Sequence, residues 1–470
     1  MEVLDMILAM KFEMVLTLIL FILLIQKVNG NASNISVLRM TNVLLVLNLA
    51  LGFFGNETRE VFGTMFRTSP LLAIEKSVLN LAVLLISLFS YDWLKNHKHL
   101  PEFFILLIAS LLGFFFMLSS SNLMMFYLGL ELSTIPLAAL CNFDLEKKSS
   151  SEAAMKMIMS SAFSSAILLF GISMIYGTTG TLDFGGISQS LLGSKLQILA
   201  FILVFTGFAF KLSVVPFHLW TADVYEGSPI AVTAYLSVVS KGAMAFVFIT
   251  SLYTVFAPLA QTWFYVLAVS AAVTILVGNI FALRQQNLKR FFAFSSIAQV
   301  GYLLIAISSA SQIGVASVVY FILIYVFTNL AAFAVVSIVS SNTGSENLND
   351  YKGLYKSNPT LALVLSLALF SLAGVPPTAG FFGKLFLLTT GAQTGIWWLI
   401  IFASLNLIIS LYYYLRIVRT MFADESSEPM QKISISTSSV AAIVICVAGI
   451  LVLGFVSKTF DVIFQYASQL

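Results

Sequence analysis

Long apolar stretches recur along the whole chain, each about 20 residues long and separated from the next by a short polar link. A helix of that length crosses the hydrocarbon core of a bilayer, which is about 30 Å thick. Only 10% of the residues are charged and 59% are hydrophobic, whereas about 25% of an ordinary soluble domain is charged. Segments such as residues 103–118 lack the alternation of a β-barrel strand. The sequence therefore predicts an all-α polytopic membrane protein.

The apolar stretches predict about fourteen transmembrane helices. The predicted spans are residues 6–26, 35–54, 71–92, 102–119, 121–141, 153–177, 196–225, 229–256, 262–283, 289–309, 313–340, 359–392, 395–421 and 438–458. The polar links between them are too short to form an extramembrane domain that could hold a flavin or an iron–sulfur cluster. We therefore expect no cofactor, redox centre or metal site in this chain.

Basic residues are concentrated in alternate links, as the positive-inside rule describes for cytoplasmic loops. These links contain Lys27, Arg39, Lys95, Lys98, Lys147, Lys148, Arg284, Lys289, Arg290, Lys352, Lys356, Arg416, Arg419 and Lys432. An even number of spans then places both termini on the outer side. The first apolar run is flanked by Glu2, Asp5 and Glu13 and lacks a cleavage site, so we expect the first helix to be retained. We expect a bacterial cell inner (plasma) membrane rather than an organellar one.

Two predicted spans are interrupted by proline, at Pro216 in the seventh and at Pro376 and Pro377 in the twelfth. Such a gap is tolerated in a membrane where it is buried in protein or lines a water-filled cavity, although either proline site alone can be a packing kink. Because the breaks are five helices apart, we predict two inverted five-helix repeats, each with a broken helix, and such pairs point to a transport site. The predicted segments are an N-terminal three-helix segment (1–101), two antiporter-like repeats (102–258 and 259–421) and a C-terminal helix (422–470).

Four ionisable residues lie deep inside predicted spans, namely Glu131, Lys211, Lys241 and Lys384. A charged side chain near the centre of a membrane helix costs about 2.5 to 3.5 kcal/mol, or roughly 10 kcal/mol for all four. One carboxylate cannot pair with three amines, so some lysines must lie along water or be partly neutral. Lysines of that kind can accept and release protons, which predicts transport of protons or cations. The alternative is a scaffold in which Glu131 and one lysine clamp two helices while the other lysines reach an interface.

Further polar residues lie near these four. His218 follows Lys211 by seven residues at the first break, and it is either a proton carrier or a satisfied polar group. Gln299 cannot titrate but can hold water. Asp223 and Glu226, at the cytoplasmic end of the seventh span, form either a solvated rim or a funnel for proton uptake.

Two other groups are assigned to structure rather than transport. Glu75 and Lys76 begin the third span and are predicted to form a local pair at the outer interface. Cys141 and Cys446 are predicted to be buried thiols, because neither has a second ligand at metal-binding spacing.

Five segments of the chain resemble the antiporter-like, proton-translocating subunits of respiratory complex I, and among them the subunit N family. The segments are YLGLELSTIPLAAL, SSEAAMKMIMSSAFSSAILLFGISMIYGTTGTLDF, GFAFKLSVVPFHLWTADVYEGSPIAVTAYLSVVSKGAMAF, RQQNLKRFFAFSSIAQVGYLL and LSLAGVPPTAGFFGKLFLL. The resemblance implies that Glu131 pairs with Lys211 and modulates its proton affinity, that Lys241 relays protons, and that Lys384 exchanges them with the outer side. It also shows a departure, since the family often has histidine where Gln299 stands.

The resemblance further implies a place in a larger enzyme, a proton-translocating NADH:quinone oxidoreductase. NADH, FMN, iron–sulfur clusters and quinone are then expected in partner subunits. The expected partners are other antiporter-like and small membrane subunits of complex I and, through them, the peripheral redox arm, with no nucleic acid. The alternatives are a subunit of an Mrp-type cation/proton antiporter or of a membrane-bound hydrogenase-type complex.

Overall fold

The protein, represented by a computed structural model, is described over residues 3–29, 33–423, 430–456 and 458–468, and these residues are mainly helical. The helices are α1 (Val3–Ala9), α2 (Lys11–Asn29), α3 (Asn34–Leu51), α4 (Pro70–Phe89), α5 (Tyr91–Leu94), α6 (Leu100–Leu118), α7 (Leu123–Cys141), α8 (Lys148–Thr179), α9 (Phe184–Ser190), α10 (Lys195–Leu212), α11 (Leu219–Gly227), α12 (Ile230–Tyr235), α13 (Lys241–Thr254), α14 (Ala260–Ala282), α15 (Leu288–Ile307), α16 (Gln312–Thr343), α17 (Leu354–Ser357), α18 (Pro359–Ala373), α19 (Ala379–Ala392), α20 (Trp397–Phe422), α21 (Thr437–Phe455) and α22 (Lys458–Ala467). Strands β1 (Arg59–Val61) and β2 (Phe66–Thr68) form a short antiparallel hairpin after α3. The all-α class is confirmed.

The number of membrane crossings agrees with the sequence. Thirteen helices in the described ranges are long and apolar enough to cross a membrane. The shorter α18 and α19 add one crossing in two halves, which gives the predicted total. Two details differ from the prediction. The first predicted span is divided into α1 and α2, and α22 was not predicted because its ten residues include Lys458 and Asp461 and are too few to span a bilayer.

The most buried part of the bundle is a single span that joins α12 and α13 through a π turn, Leu236–Ser240. Every residue of its most apolar window, within Ile230–Thr254, is buried, whereas only 28% of the corresponding windows of α2 and α3 is buried. Helices α4 and α16 pack against this span, and α15 and α16 are nearly as enclosed as the span itself. Outer helices expose large apolar side chains such as Leu128 and Phe163, as expected of surfaces that meet lipid or partner subunits.

Both predicted helix breaks are present, and their backbones repeat each other. α10 and α18 each end at a residue in the left-handed region, Ser213 with φ 64° and Gly374 with φ 87°. The next amides, of Val214 and Val375, donate to carbonyl oxygens five residues earlier at 2.8 and 3.0 Å. In both cases a proline follows three residues after the left-handed residue, and a second helix, α11 or α19, completes the crossing.

Other elements repeat in the same order around the two breaks. α8 and α16 both contain 32 residues and both end at a left-handed glycine, Gly180 and Gly344. Asn122 and Asn287 accept hydrogen bonds as the N-caps of α7 and α15. These correspondences support two structural repeats. The boundaries of the repeats given above stay a prediction.

Candidate functional site

Lys211 lies in the last turn of α10, immediately before the first break, and its side chain is 6% exposed. Its Nζ donates a hydrogen bond of 2.6 Å to the hydroxyl of Thr134 on α7. The unpaired carbonyls at the C-terminal end of a helix favour a positive charge, so the break gives this amine a polar setting at membrane depth. The lysine that precedes Val214, Val215 and Pro216 is therefore a buried amine at the end of the first half of the broken helix.

Glu131 lies three residues before Thr134 on α7, so the two side chains share a helix face. The side chain of Glu131 is partly exposed at the side of the bundle, and its buried Oε1 has no hydrogen-bond partner within the described ranges. None of the salt bridges between described residues joins Glu131 to Lys211. The structure thus places the carboxylate one helical turn from the group that holds Lys211, instead of in direct contact with the amine.

Lys241 begins α13 directly after the π turn and is 4% exposed. π turns occur preferentially at functional sites, where the extra residue changes the direction of a side chain. The Nζ of Lys241 donates to the hydroxyl of Ser296 on α15 at 2.7 Å and lies 5.5 Å from the centre of the Tyr225 ring. A hydroxyl and an aromatic face thus surround this amine.

Lys384 lies on α19, after the second break, and is 3% exposed. Its Nζ donates to the carbonyl of Ala373, the last residue of α18, at 3.2 Å and lies 5.3 Å from the Tyr302 ring centre. Gly374 makes this approach possible, because a Cβ at that position would lie 3.1 Å from Cδ of Lys384. One lysine therefore joins the two halves of the broken helix.

α15 carries the polar groups that lie between Lys241 and Lys384. Gln299 follows Ser296 by one turn and donates to the carbonyl of Leu372 at 3.2 Å and to the hydroxyl of Tyr414 at 3.3 Å. Its Oε1 is buried without a hydrogen-bond partner among the described residues. A cavity of about 10 Å³ adjoins both Gln299 and Lys384, enough for about one water molecule. Gln299 is thus placed where it can hold water, as expected.

His218 is the N-cap residue of α11, directly after the first break, and is buried. Its Nδ1 has no hydrogen-bond partner in the part of the chain that the structure describes. Residues 213–218 interrupt the helix, so the regular helix face that His218 and Lys211 would share is not formed. His218 is near the broken helix but is not hydrogen-bonded to Lys211.

Asp223 and Glu226 lie on α11 and are tied into ion pairs. Arg290 on α15 contacts Asp223 at 2.7 Å and Glu226 at 2.8 Å. Lys156 on α8 contacts the other oxygen of Asp223 at 2.6 Å. These pairs favour a structured rim over an open funnel.

A cavity of about 350 Å³ opens next to this rim, on the side predicted to be cytoplasmic. Its charged lining residues are Asp144, Lys147, Glu226, Lys289 and Glu346. A hydrogen bond from Lys147 to Asp144 raises the pKa of Lys147, so this lysine keeps its charge at neutral pH. The cavity also reaches Pro229 and Ile230, where the span that carries Lys241 begins.

The predicted local pair of Glu75 and Lys76 is wrong. Lys76 pairs instead with Glu13 on α2, at 2.5 Å, and both side chains are almost completely buried. Adjacent residues on a helix point in different directions, and the Glu75 side chain, 1% exposed, forms no ion pair with Lys76 among the described residues. Lys76 also lies 5.1 Å from the ring centre of Phe66. Buried charge is therefore also present in the N-terminal segment, where the sequence indicated an interfacial pair.

Sequence reasoning did not find the hydroxyl partners Thr134, Ser296 and Tyr414 or the aromatic neighbour Tyr302. Neutral hydroxyls are too common in helices to stand out, and the contacts they make join residues far apart in the chain. One signal was present, since Thr134 and Ser296 each lie three residues from a candidate already identified.

Cysteine and metal chemistry gives no candidate site in the described ranges. Cys141 and Cys446 are free and buried, which confirms the prediction of buried thiols. No group of three or more His, Cys, Asp or Glu side chains that could hold a metal ion occurs among the described residues.

The chain is similar to known proteins over nearly its whole length. Residues 120–410 match the family described as NADH:quinone oxidoreductase/Mrp antiporter, TM. NADH-quinone oxidoreductase subunit N of Phocaeicola vulgatus is 45% identical over 429 residues, which cover 90% of each chain.

Two solved structures share the fold. A chain of respiratory complex I from Thermus thermophilus has a TM-score of 0.80 and 29% identity, with 94% of this chain and 98% of that chain covered. A chain of the Mrp complex from Dietzia sp. has a TM-score of 0.87 at 20% identity, with 100% and 98% covered, which shows the fold alone. On its family match and its subunit N relative together, this chain belongs to the NADH:quinone oxidoreductase/Mrp antiporter transmembrane family and, within it, to subunit N of NADH-quinone oxidoreductase.

Proposed function

We propose that the chain is a proton-translocating membrane subunit of an NADH:quinone oxidoreductase in a bacterial inner membrane, with both termini on the outer side. The subunit N relative at 45% identity and the complex I chain at 29% identity support this assignment. Other antiporter-like and small membrane subunits, and through them the peripheral redox arm, are its partners. The partners hold FMN and iron–sulfur clusters and pass electrons from NADH to quinone, while this chain contributes the proton path.

One observation carries the proposal: each of the three lysines predicted to form the proton path is held by a neutral acceptor. Lys211 and Lys241 bond to hydroxyls, and Lys384 bonds to a backbone carbonyl. No carboxylate lies within 4 Å of these amines in the described residues. The pair of Lys76 with Glu13 shows what a fixed buried ion pair looks like in the same bundle. Lysines without a fixed counter-ion can lose and regain a proton without leaving a buried carboxylate alone, which argues against the scaffold.

The geometry supports a direction for the path. The cavity on the predicted cytoplasmic side reaches the start of the span that carries Lys241, and Thr233 and Ser237 lie along that span between the cavity and the amine. From Lys241, Ser296 and Gln299 on one face of α15 lead to Lys384 at the second break. In this proposal Lys241 relays protons and Lys384 exchanges them with the outer side.

Glu131, Lys211 and His218 form the regulatory end of the proposed path. Glu131 acts on Lys211 through its charge, one helical turn from the Thr134 hydroxyl that holds the amine. Movement of α7 or α10 changes the distance between the Glu131 carboxylate and the Lys211 amine, and so changes the proton occupancy of Lys211. His218 is proposed as a proton carrier, because its free Nδ1 lies at the break.

Replacing Lys241 with alanine tests the proposal. Inverted vesicles that contain the assembled complex are given NADH and quinone, and proton uptake is measured together with NADH oxidation. We expect proton uptake per NADH to fall in Lys241→Ala, while Lys98→Ala, which alters an exposed lysine, pumps like the wild type. Full pumping by Lys241→Ala in an intact assembly would contradict the mechanism.

The cation-antiporter alternative has a separate test. The Mrp chain shares the fold at 20% identity, whereas the relative at 45% identity is named for a quinone oxidoreductase. We expect proton uptake to follow quinone reduction equally well in sodium-free and sodium-containing buffer. Sodium-dependent exchange without any quinone reaction would support the Mrp-type assignment.

A further inference from the structure

We propose that Glu75 is an additional proton-binding site, which exchanges protons with the aqueous phase on the outer side through a cavity beside α4. The site lies in the N-terminal segment and is separate from the lysine path. The ligand is a proton, carried to the carboxyl group by water in the cavity.

Glu75 is buried beside a cavity, and its carboxyl group has no protein partner among the described residues. Its side chain is 1% exposed, and neither Oε1 nor Oε2 has a hydrogen-bond partner among the described residues. It lines a cavity of about 340 Å³, which has room for many water molecules. Buried carboxyl oxygens require hydrogen-bond partners, so water in this cavity is the natural source.

The cavity lies at one end of the bundle. It is bounded by the β1–β2 hairpin, the first turn of α4, the end of α13 and α22, where Arg67, Ser69, Thr254 and Tyr466 contribute to its wall. The charge pattern of the links predicts this end to be the outer one. A proton bound at Glu75 is therefore in contact with the outer phase rather than with the cytoplasmic cavity.

The charges around Glu75 favour a bound proton over a free carboxylate. The titratable groups that surround it are Lys76 on α4, Glu13 and Lys11 on α2, Glu60 and Arg67 of the hairpin, Asp183 before α9 and Tyr466 on α22. Lys76 is already neutralised by Glu13, and within the described ranges no salt bridge joins Arg67 to Glu75. An ionised Glu75 would add a second negative charge next to that pair, which burial makes expensive.

Along α13, residues 242–249 offer no hydrogen-bonding side chain that would link the Glu75 site to Lys241. Glu75 and Lys241 belong to the same region of the bundle, because α13 starts at Lys241 and ends at the cavity wall. The α13 residues between them, 242–249, are all apolar or glycine. Proton binding at Glu75 is thus a local event that acts on the neighbouring Glu13–Lys76 pair through its charge.

Infrared spectroscopy on the assembled complex tests the site. Difference spectra recorded after a change of pH, in water and in deuterium oxide, detect a protonated carboxyl group that exchanges with solvent. We expect Glu75→Gln to lose one such band, while Glu60→Gln, which alters an exposed carboxylate in the wall of the same cavity, keeps it. Lys241→Ala should also keep the band, so failure of this inference is distinct from failure of the proposed path.

A second measurement uses the wild-type complex and does not depend on a variant that assembles. Dicyclohexylcarbodiimide reacts with protonated carboxyl groups in apolar surroundings, and peptide mass mapping locates the product. Labelling at Glu75 is expected, together with a decrease at high pH. An unchanged infrared spectrum in Glu75→Gln, or an unlabelled Glu75 in the mapped peptide, would overturn the inference.

Discussion

The buried pair of Glu13 and Lys76 allows the sharpest stability prediction. Changing Glu13 to Gln leaves the Lys76 ammonium alone in an apolar setting, where its other close neighbours are the rings of Phe12, Phe66 and Phe115 at 5.1 to 5.8 Å from Nζ. Changing both residues, in Glu13→Gln/Lys76→Met, removes the isolated charge as well.

The magnitude follows from the geometry. At 2.5 Å and an effective dielectric constant near 20, the gross attraction of the two charges is about 7 kcal/mol, and the desolvation of both groups offsets much of it. Removing one partner of such a pair typically costs about 3 to 5 kcal/mol, because the remaining charge stays buried. That loss lowers the ratio of folded to unfolded protein on the order of a hundredfold or more. Removing both charges is often neutral or stabilising.

The assay compares thermal unfolding and the yield of assembled complex in mild detergent for wild type, both single variants and the double variant. Lys147→Gln is a matched control, since Lys147 is 66% exposed in its pair with Asp144 at 2.9 Å, and a pair with an exposed lysine should contribute less than about 1 kcal/mol. We expect the single variants to be much less stable than the control and the double variant to recover most of the loss.

Two results would refute this reasoning. A Glu13→Gln variant as stable as the control would mean that Lys76 is not held as a buried cation. A double variant as unstable as Glu13→Gln would mean that packing, rather than the isolated charge, determines the cost.

Two further predictions concern the proposed path. Gly374→Ala should reduce pumping and destabilise the folded chain by about 1 to 3 kcal/mol. The alanine must adopt φ 87°, which a side chain disfavours, and its Cβ crowds Lys384. Gly344→Ala is the control, because Gly344 has a similar φ of 72° but open space around it. Comparing proton uptake of the two variants isolates the crowding of Lys384. Equal pumping would contradict a role for the close approach of Lys384 to Gly374. Ser296→Ala removes the hydroxyl partner of Lys241, which is a loss of about 1.5 to 3 kcal/mol for a charged hydrogen bond. Proton uptake should fall while NADH oxidation in uncoupled membranes is retained, and unchanged uptake would contradict the contact.

The positions of the membrane spans and of the breaks were predictable from sequence because both depend on local chemistry. Apolar length determines a span, and a proline determines a gap in the hydrogen bonds wherever it lies in the chain. Lys211, Lys241 and Lys384 were predicted to be buried for the same reason, since each lies among apolar neighbours in its own helix.

The contacts of these residues were not predictable in the same way. Lys76 was assigned to its neighbour Glu75, yet its partner Glu13 is 63 residues away in the chain, and only the packing of α2 and α4 against α3 and α6 brings the two together. The π turn before Lys241 has no proline or glycine within it to mark it in the sequence. Roles of Glu131, Lys211, Lys241, Lys384 and His218 in transport stay predictions until they are measured.

The hydrogen bond from Lys384 to Ala373 couples the geometry of the broken helix to the protonation of the lysine amine. The bond joins the two halves of the crossing and is stronger when the lysine carries its proton. By thermodynamic reciprocity, strain that widens the gap must favour release of the proton, and release of the proton must ease widening of the gap by the same free energy. A movement imposed by a neighbouring subunit and a change in proton concentration then have equivalent effects on the break between α18 and α19.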